Sequence, residues 1–422
     1  MKEGYKDSVL GEIPVVWKIE QLKNTSNQEK HSFIDGDWIE SPYISDSGIR
    51  LIQTGNIGIG NFIDKNKKHI SESSFIELKC KEVIEGDILI CRLAAPVGRA
   101  CIVPNLGTKN ITSVDVTICR PNINVNKVYL INYLNFQPTL NRMENLSGGS
   151  TRQRINRTNL GKIEIPIPPL PEQQKIAEIL STVDAKIEII DQQISETQEL
   201  KKGLMQQLLT KGIAHTEFKD SVLGKIPKSW EVVKIKNIAD IKAGATPSTK
   251  NKDYWGGEIP WMNSGDINLR KVKEVEGRIT ELGLNNSSTK LIPANSVLMA
   301  LAGQGKTRGK VAINEFPLCT NQSLATIYNF KKADFEFVFQ NLESRYLEIR
   351  KMSTGDGGRG GLNLAIIKSI SIALPSIEEQ RHISEILTSV DNKLEVLLEK
   401  KITYQELKQG LMQQLLTGKV RV

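Results

Sequence analysis

The chain states its own architecture twice. Lys6–Trp17 reads KDSVLGEIPVVW and Lys219–Trp230 reads KDSVLGKIPKSW, an offset of 213 residues. Glu172–Leu209 opens as EQQKIAEILSTVD and closes as ELKKGLMQQLL, and it returns at an offset of 207 as Glu379–Leu416, EQRHISEILTSVD to ELKQGLMQQLL. Each copy runs start block, long variable stretch, helical block, and the six-residue difference between the offsets falls in the variable stretch. Solenoid repeats have periods of roughly 20–50 residues, so a repeat this long means two whole domains. A duplicated frame with two diverged payloads suits a partner made of two related halves, and a DNA site is the first candidate.

Charge is distributed in keeping with that partner. Residues 171–210 hold seven Asp/Glu against four Lys/Arg and residues 378–417 seven against five, so of the total of +8 the helical blocks carry −3 and −2 and the rest +13. The variable heads are basic and the helices are not. Basic domains are the footprint of a polyanion, because neutralised phosphates release counterions. At 422 residues, 39% hydrophobic and 25% charged, the chain can bury two or three ordinary cores. No apolar run approaches the ~20 residues of a membrane span, and MKEGYKDSVLGE lacks the apolar centre of a signal peptide, so a cytoplasmic location is expected. Cys80, Cys91, Cys101, Cys119 and Cys319 are odd in number and without a Cys-x-x-Cys pair, which predicts reduced, mostly buried thiols.

From Pro171 the pattern is helical. Apolar residues recur at alternating steps of four and three, Ile176, Leu180, Val183, Ile187, Ile190 and Ile194, then Leu204 and Leu208. The second copy offers Ile383, Leu387, Val390, Leu394 and Leu397, then Tyr404, Leu411 and Leu415. Lys201 and Lys408 interrupt both seams at the same place. Helices of about 40 residues are about 60 Å long, too long to lie on one small domain, so they must pair with each other or with another protein. The proline-rich entry Pro166–Pro171, with Glu172 near the positive helix end, marks the start. Gly212 and Gly418 suit left-handed caps at the finish. The predicted fold is α+β: two β-rich globular domains joined by two long antiparallel α-helices in a coiled coil, a dumbbell with a pseudo-two-fold internal repeat. The expected divisions are a first head over 1–170, a helix over 171–212, a linker and second head over 213–376, and a helix with a short tail over 377–422. The Met-Gln-Gln face around Met205 and Met412 exceeds what a two-helix seam needs and predicts a docking surface for another subunit.

The heads read as strands broken by glycine loops. Glu85–Val103 (EGDILICRLAAPVGRACIV) corresponds to Pro293–Ile313, and Leu51–Ile57 (LIQTGNI) to Trp261–Ile267 (WMNSGDI). Gly148–Asn156 (GGSTRQRIN) and Gly357–Asn363 (GGRGGLN) are glycine-rich loops just before the strand that leads to each helix. Arg can be bidentate to guanine and Asn or Gln to adenine, whereas Lys and backbone amides suit phosphates. The candidate DNA-binding residues are Gln53, Thr54, Asn56, Arg92, Arg99, Arg152 and Arg154 in the first head. In the second they are Asn263, Ser264, Lys306, Arg308, Lys310 and Arg359.

No catalytic or metal site is expected. Gly303–Thr307 resembles the end of a phosphate-binding loop, but Ala300 stands where that motif needs glycine and Arg308-Gly309 follows where an apolar helix should. His31, His69, His215 and His382 lack metal spacing.

The LG-x-IP-x-x-W blocks at Leu10–Trp17 and Leu223–Trp230, with the helix entries Pro166–Gln173 and Leu374–Gln380, resemble the specificity subunit of type I restriction–modification systems. The likeness spans essentially the whole chain. The second entry departs from the pattern, with Glu378 where the first has Pro171, and an altered helix start is expected there. The resemblance implies that each head is a target recognition domain for half of a bipartite double-stranded DNA site. It also implies that the helices fix the spacing and bind two methyltransferase subunits, which methylate adenine with S-adenosylmethionine, and that translocating restriction subunits join this core. The chain itself would be non-catalytic and bind no cofactor, with S-adenosylmethionine, ATP and Mg2+ on its partners. Alternatives are a specificity subunit serving a methyltransferase without nuclease, or a coiled-coil adaptor.

Overall fold

The structure is a computed structural model that describes residues 3–27, 29–149, 152–303, 306–353 and 361–422. It forms two compact units, one of residues 1–191 with 399–422 and the other of residues 192–398. The units therefore divide inside the long helices rather than at the head–helix junctions expected near 170 and 376. Each unit is a head together with the beginning of its own helix and the end of the other.

The first unit is closed by its start block. Tyr5–Lys6 pairs antiparallel with Ile13–Pro14, Trp17 is fully buried, and Lys18–Gln21 pairs antiparallel with Glu164–Ile167, the strand that feeds the first long helix. Above this clasp lies a four-stranded antiparallel sheet in the spatial order Ala100–Ile102, Ile88–Cys91, Val116–Cys119, Phe33–Asp35. Its two central strands are buried on both faces, which is why they read as nearly continuous apolar runs rather than as alternation. A further five-stranded sheet contains the parallel pair Ile49–Ile52 with Asn110–Thr112.

The second unit repeats the plan. Phe218–Ser221 pairs with Gly224–Pro227 and Glu231–Lys234 with Ser371–Leu374. The central sheet has the order Lys271–Val272, Val311–Asn314, Val297–Ala300, Leu324–Tyr328, Asp240–Ala243; its last four strands repeat the order of their equivalents in the first head, and Lys271–Val272 adds a parallel edge strand. The parallel pair recurs between Met262 and Thr320.

Each head also carries a helix pair that its strand-like reading missed, Lys127–Leu134 with Gln137–Asn145 and Phe335–Ser344 with Tyr346–Lys351. Six consecutive residues of Lys127–Leu134, all apolar or aromatic but Asn132, are buried, so the helix is buried all round and shows no amphipathic stripe.

The long helices span Leu170–Lys211 and Ile377–Leu415. Their starts are equivalent at the 207-residue offset, so replacing Pro171 by Glu378 leaves the helix start where it was. In the first unit the helix segments run antiparallel, with Asp184 paired to Lys408 and Asp191 to Lys401, each at 2.6 Å. In the second, Lys201 pairs with Asp391 at 2.8 Å, the repeat counterpart of Asp184–Lys408. The two lysines that interrupt the seams therefore meet equivalent aspartates. Ile176, Leu180, Val183, Ile190, Ile383, Leu387 and Val390 are buried, while Ile187 and Leu394 are half-buried. Met412 is buried in the first head's core and Met205 packs partly against the second's. This corrects the docking role expected of them: the methionines face the heads, and only the adjoining glutamines are exposed.

Candidate DNA-recognition interface

The Glu-Gln at the start of each helix locks head to helix. Gln173 Nε2 donates to the carbonyls of Asn124 and Pro168 at 3.0 and 2.9 Å, and its Oε1 accepts from the Asn126 amide at 2.8 Å. Gln380 repeats this with the carbonyls of Lys332 and Pro375 and the amide of Asp334. Both glutamines are fully buried, so every polar atom needs such a partner. The motif belongs to the scaffold.

Three loops meet at one edge of the first head. The turn Thr54–Asn56 is short and helical, with the Gln53 amide donating to Asn56 Oδ1 at 2.9 Å. The loop after strand Ile88–Cys91 reaches it through Arg99, whose guanidinium donates to the carbonyls of Thr54 and Ile57 at 3.0 and 2.9 Å and to those of Ala94 and Pro96. The glycine-rich loop joins through a bridge between Leu93 and Arg154, with the Ala94 amide on the Gln153 carbonyl at 3.0 Å. Beside the glycine-rich loop lies a hollow of about 640 Å³ lined by Asp35, Arg92, Gly148, Arg154, Asn156 and Arg157 among others.

The second head assembles equivalent loops. The Asn263 amide donates to Asp266 Oδ2 at 3.0 Å, matching Gln53 and Asn56. Lys310 holds the turn through Asn268 Oδ1 at 2.6 Å, where Arg99 holds its own. The Leu362 amide donates to the Leu301 carbonyl at 2.9 Å, matching Ile155 and Arg92.

Several sequence candidates prove to be internal. Asn56 is 2% exposed and spends its amide on the carbonyls of Ile63 and Lys65 at 2.9 and 2.6 Å. Arg92 is 3% exposed, donates to the carbonyls of Ile155 and Val114, and pairs with Asp35 at 3.1 Å. Burial lowers its pKa and Asp35 opposes that shift. Arg308 is buried as well. These three are largely buried, a distinction invisible in sequence because polar residues in glycine loops are ordinarily exposed. Arg99 is half-buried and committed to carbonyls.

Other candidates face outward. Arg152 and Lys306 are exposed, Asn263 is exposed, and Gln53, Thr54, Ser264 and Lys310 are half-exposed. Arg154 is exposed but paired with Asp115 at 2.7 Å. Arg359 lies outside the described residues. Sequence reasoning missed Arg157, exposed in the same hollow and 3.9 Å from Asp35; its spacing after Arg152 and Arg154 was the available signal. It also missed Asn268 and Arg270, which follow the WMNSGDI turn directly.

Among the described residues no cluster of His, Cys, Asp or Glu could hold a metal, and no helix is long and apolar enough to cross a membrane. All five cysteines are free. Burial pushes Cys101 and Cys119 up to about 12 and Cys80 and Cys319 up to about 11.

Two heads of one topology on one duplicated helical frame, each presenting a basic loop cluster, define a tandem recognition protein. The chain belongs to the type I restriction modification DNA specificity domain family, whose model matches residues 8–199 and 227–408. It carries that domain twice and is a type I specificity subunit with two target recognition domains. A putative type I restriction enzyme MjaX specificity subunit from Methanocaldococcus jannaschii is 30% identical, over 100% of this chain and 97% of its own length. The EcoR124I/EcoR124II specificity subunit of Escherichia coli is 29% identical over 65% of this chain and 66% of its own. In fold, the chain resembles the type I S subunit from M. genitalium at a TM-score of 0.59 and 15% identity, covering 94% of this chain and 96% of that one. A chain from a solved structure of type I R-M complex assembly and conformational transition gives 0.61 and 15%, covering 97% and 99%.

Proposed function

We propose that each head reads one half of a bipartite double-stranded DNA target through its three-loop edge, and that the paired helices set the spacing between halves. The observation that carries this reading is the recurrence of one loop cluster on one sheet order in both heads, with different side chains at the outward positions: Gln53 and Thr54 in one, Asn263 and Ser264 in the other. A shared frame fixes where the loops stand, and the exchanged side chains change which base edges they fit.

The helices also dock two methyltransferase subunits, with restriction subunits joining the assembly. Ile189 and its repeat counterpart Val396 are 49% and 48% exposed, and Leu200 and Leu407 are 55% and 47% exposed. Large apolar side chains left open at equivalent points of both helices suit two copies of one partner. In this reading the chain supplies the address and the partners supply adenine methylation with S-adenosylmethionine and ATP- and Mg2+-dependent cleavage. Methylome sequencing of a host carrying the three subunits tests it: a two-part modified sequence is expected, in which exchanging residues 231–373 changes one half alone. Modification of a continuous undivided site, or a change in both halves, overturns it.

A further inference from the structure

Arg270 ends the recognition turn of the second head in a conformation that its side chain makes costly. Its φ of 61° and ψ of −55° lie outside the regions that non-glycine residues populate freely. At the 210-residue offset that aligns LIQTGNI with WMNSGDI, the first head has Gly60 with φ 83° and open space around it. Glycine takes positive φ without steric cost, and the second head nevertheless carries arginine. Strain of this kind persists only where the surroundings over-determine it.

The surroundings here are a charged network within the second unit. Arg270 Nη2 donates to Glu343 Oε2 and to Asp391 Oδ2, each at 2.7 Å, and Nε donates to Glu343 Oε1. The guanidinium carbon stands 5.1 Å from the ring centre of buried Phe339. Lys201 completes the group at 2.8 Å from Asp391 and 3.3 Å from Glu343. Asp391 lies on the second long helix, Lys201 on the first and Glu343 on the head's own helix. The next residue continues the connection: Lys271 is 3.5 Å from Glu336, which accepts from Thr388 of the second long helix at 3.1 Å. On the other side, the loop runs from Arg270 to Asn268, held by Lys310, and to Asn263, whose Oδ1 accepts from Gly265.

We infer that Arg270 is a positioning residue that fixes the Asn263–Asn268 recognition loop to the helical frame, so that base discrimination in the second half-site depends on an ion network without a counterpart among the described residues of the first head, where Gly60 stands in place of Arg270. A bidentate fork onto a carboxylate sets direction as well as distance, and a loop so held presents its outward side chains in one register. The first head instead holds its turn locally, through Arg99 on backbone carbonyls. The inference rests on the two-head reading above.

The test uses the complex assembled with its methyltransferase subunits, and measures methylation rates on duplexes with single base changes in either half of the target. Arg270→Gln is expected to reduce discrimination against second-half changes by about tenfold or more, the scale of one well-placed base contact, and to leave first-half discrimination unaltered. Arg270→Gly, which removes the network and the strain together, is expected to do the same while keeping the complex folded; Arg270→Lys, charged but unable to fork, should fall between. Lys201→Met removes a charge from the same carboxylates without touching the loop and should lower second-half discrimination less than Arg270→Gln does. Unchanged second-half discrimination in both Arg270→Gln and Arg270→Gly, or equal loss in both halves, overturns the inference. A wild-type complex that recognises no two-part site instead overturns the reading on which it rests.

Discussion

Trp17 donates its indole N–H to Glu172 Oε2 at 3.0 Å, and Trp230 makes the same bond to Glu379 at the same distance. The tryptophan closes each start block and the glutamate opens each helix, so one hydrogen bond ties the two repeated elements across a variable stretch of about 150 residues. The chain just past the end of the opposite helix completes both joints: Arg421 pairs with Glu172 in the first unit and His215 with Glu379, at 2.8 Å, in the second. Glu172 is 5% exposed. Replacing Trp17 by Phe leaves that buried carboxylate short of a donor and is expected to cost about 1–3 kcal/mol. Urea unfolding midpoints of Trp17→Phe and Trp230→Phe measure it; two unshifted midpoints would contradict the joint.

The seam lysines should differ in energetic weight. Lys408 and Asp184 are 26% and 46% exposed at the side chain, whereas Lys201 and Asp391 are 17% and 12% exposed and belong to a larger network. Exposed pairs contribute about 0.2–1 kcal/mol, and more buried charges cost more when orphaned. Lys201→Ala should therefore lower thermal stability more than Lys408→Ala, and calorimetry showing the reverse order would refute this.

Thiol chemistry offers a check on the cores. Because burial holds Cys101 and Cys119 up to about 12, only on the order of one in ten thousand would be thiolate at pH 8. Iodoacetamide at that pH should leave both unmodified in the folded chain and label both in guanidinium, with partly exposed Cys80 reacting first. Rapid native labelling of Cys119 would show that the central sheet is open.

Two arginines of the first head should separate by phenotype. Arg152 is exposed, so in the assembled complex Arg152→Ala should either relax one base position, at roughly 1–3 kcal/mol, or lower the salt slope of binding by about one. Arg99 ties the Thr54 and Ile57 carbonyls of the turn to the Ala94 and Pro96 carbonyls of its own loop, so Arg99→Ala should weaken discrimination across several positions of that half-site. If DNA binding by the Arg152 variant is indistinguishable from wild type in affinity, salt slope and preference, its loop does not reach the DNA.

The duplication, the long helices, their seam and the basic heads were all legible in the sequence, because identity at a fixed offset and apolar period are one-dimensional signals. The Glu-Gln at each helix entry was legible as a motif, but its work was not: Gln173 clamps Asn124–Asn126, and Glu172 meets Trp17 and Arg421, partners up to 249 residues away. The loops show the same limit. Asn56, Arg92 and Arg152 look alike in a string of letters, yet two are consumed by internal carbonyls and one is open to solvent. Periodicity records which residues leave water. Only the closed tertiary structure decides which acceptor each buried donor finds, and hence which polar side chains remain to meet a partner.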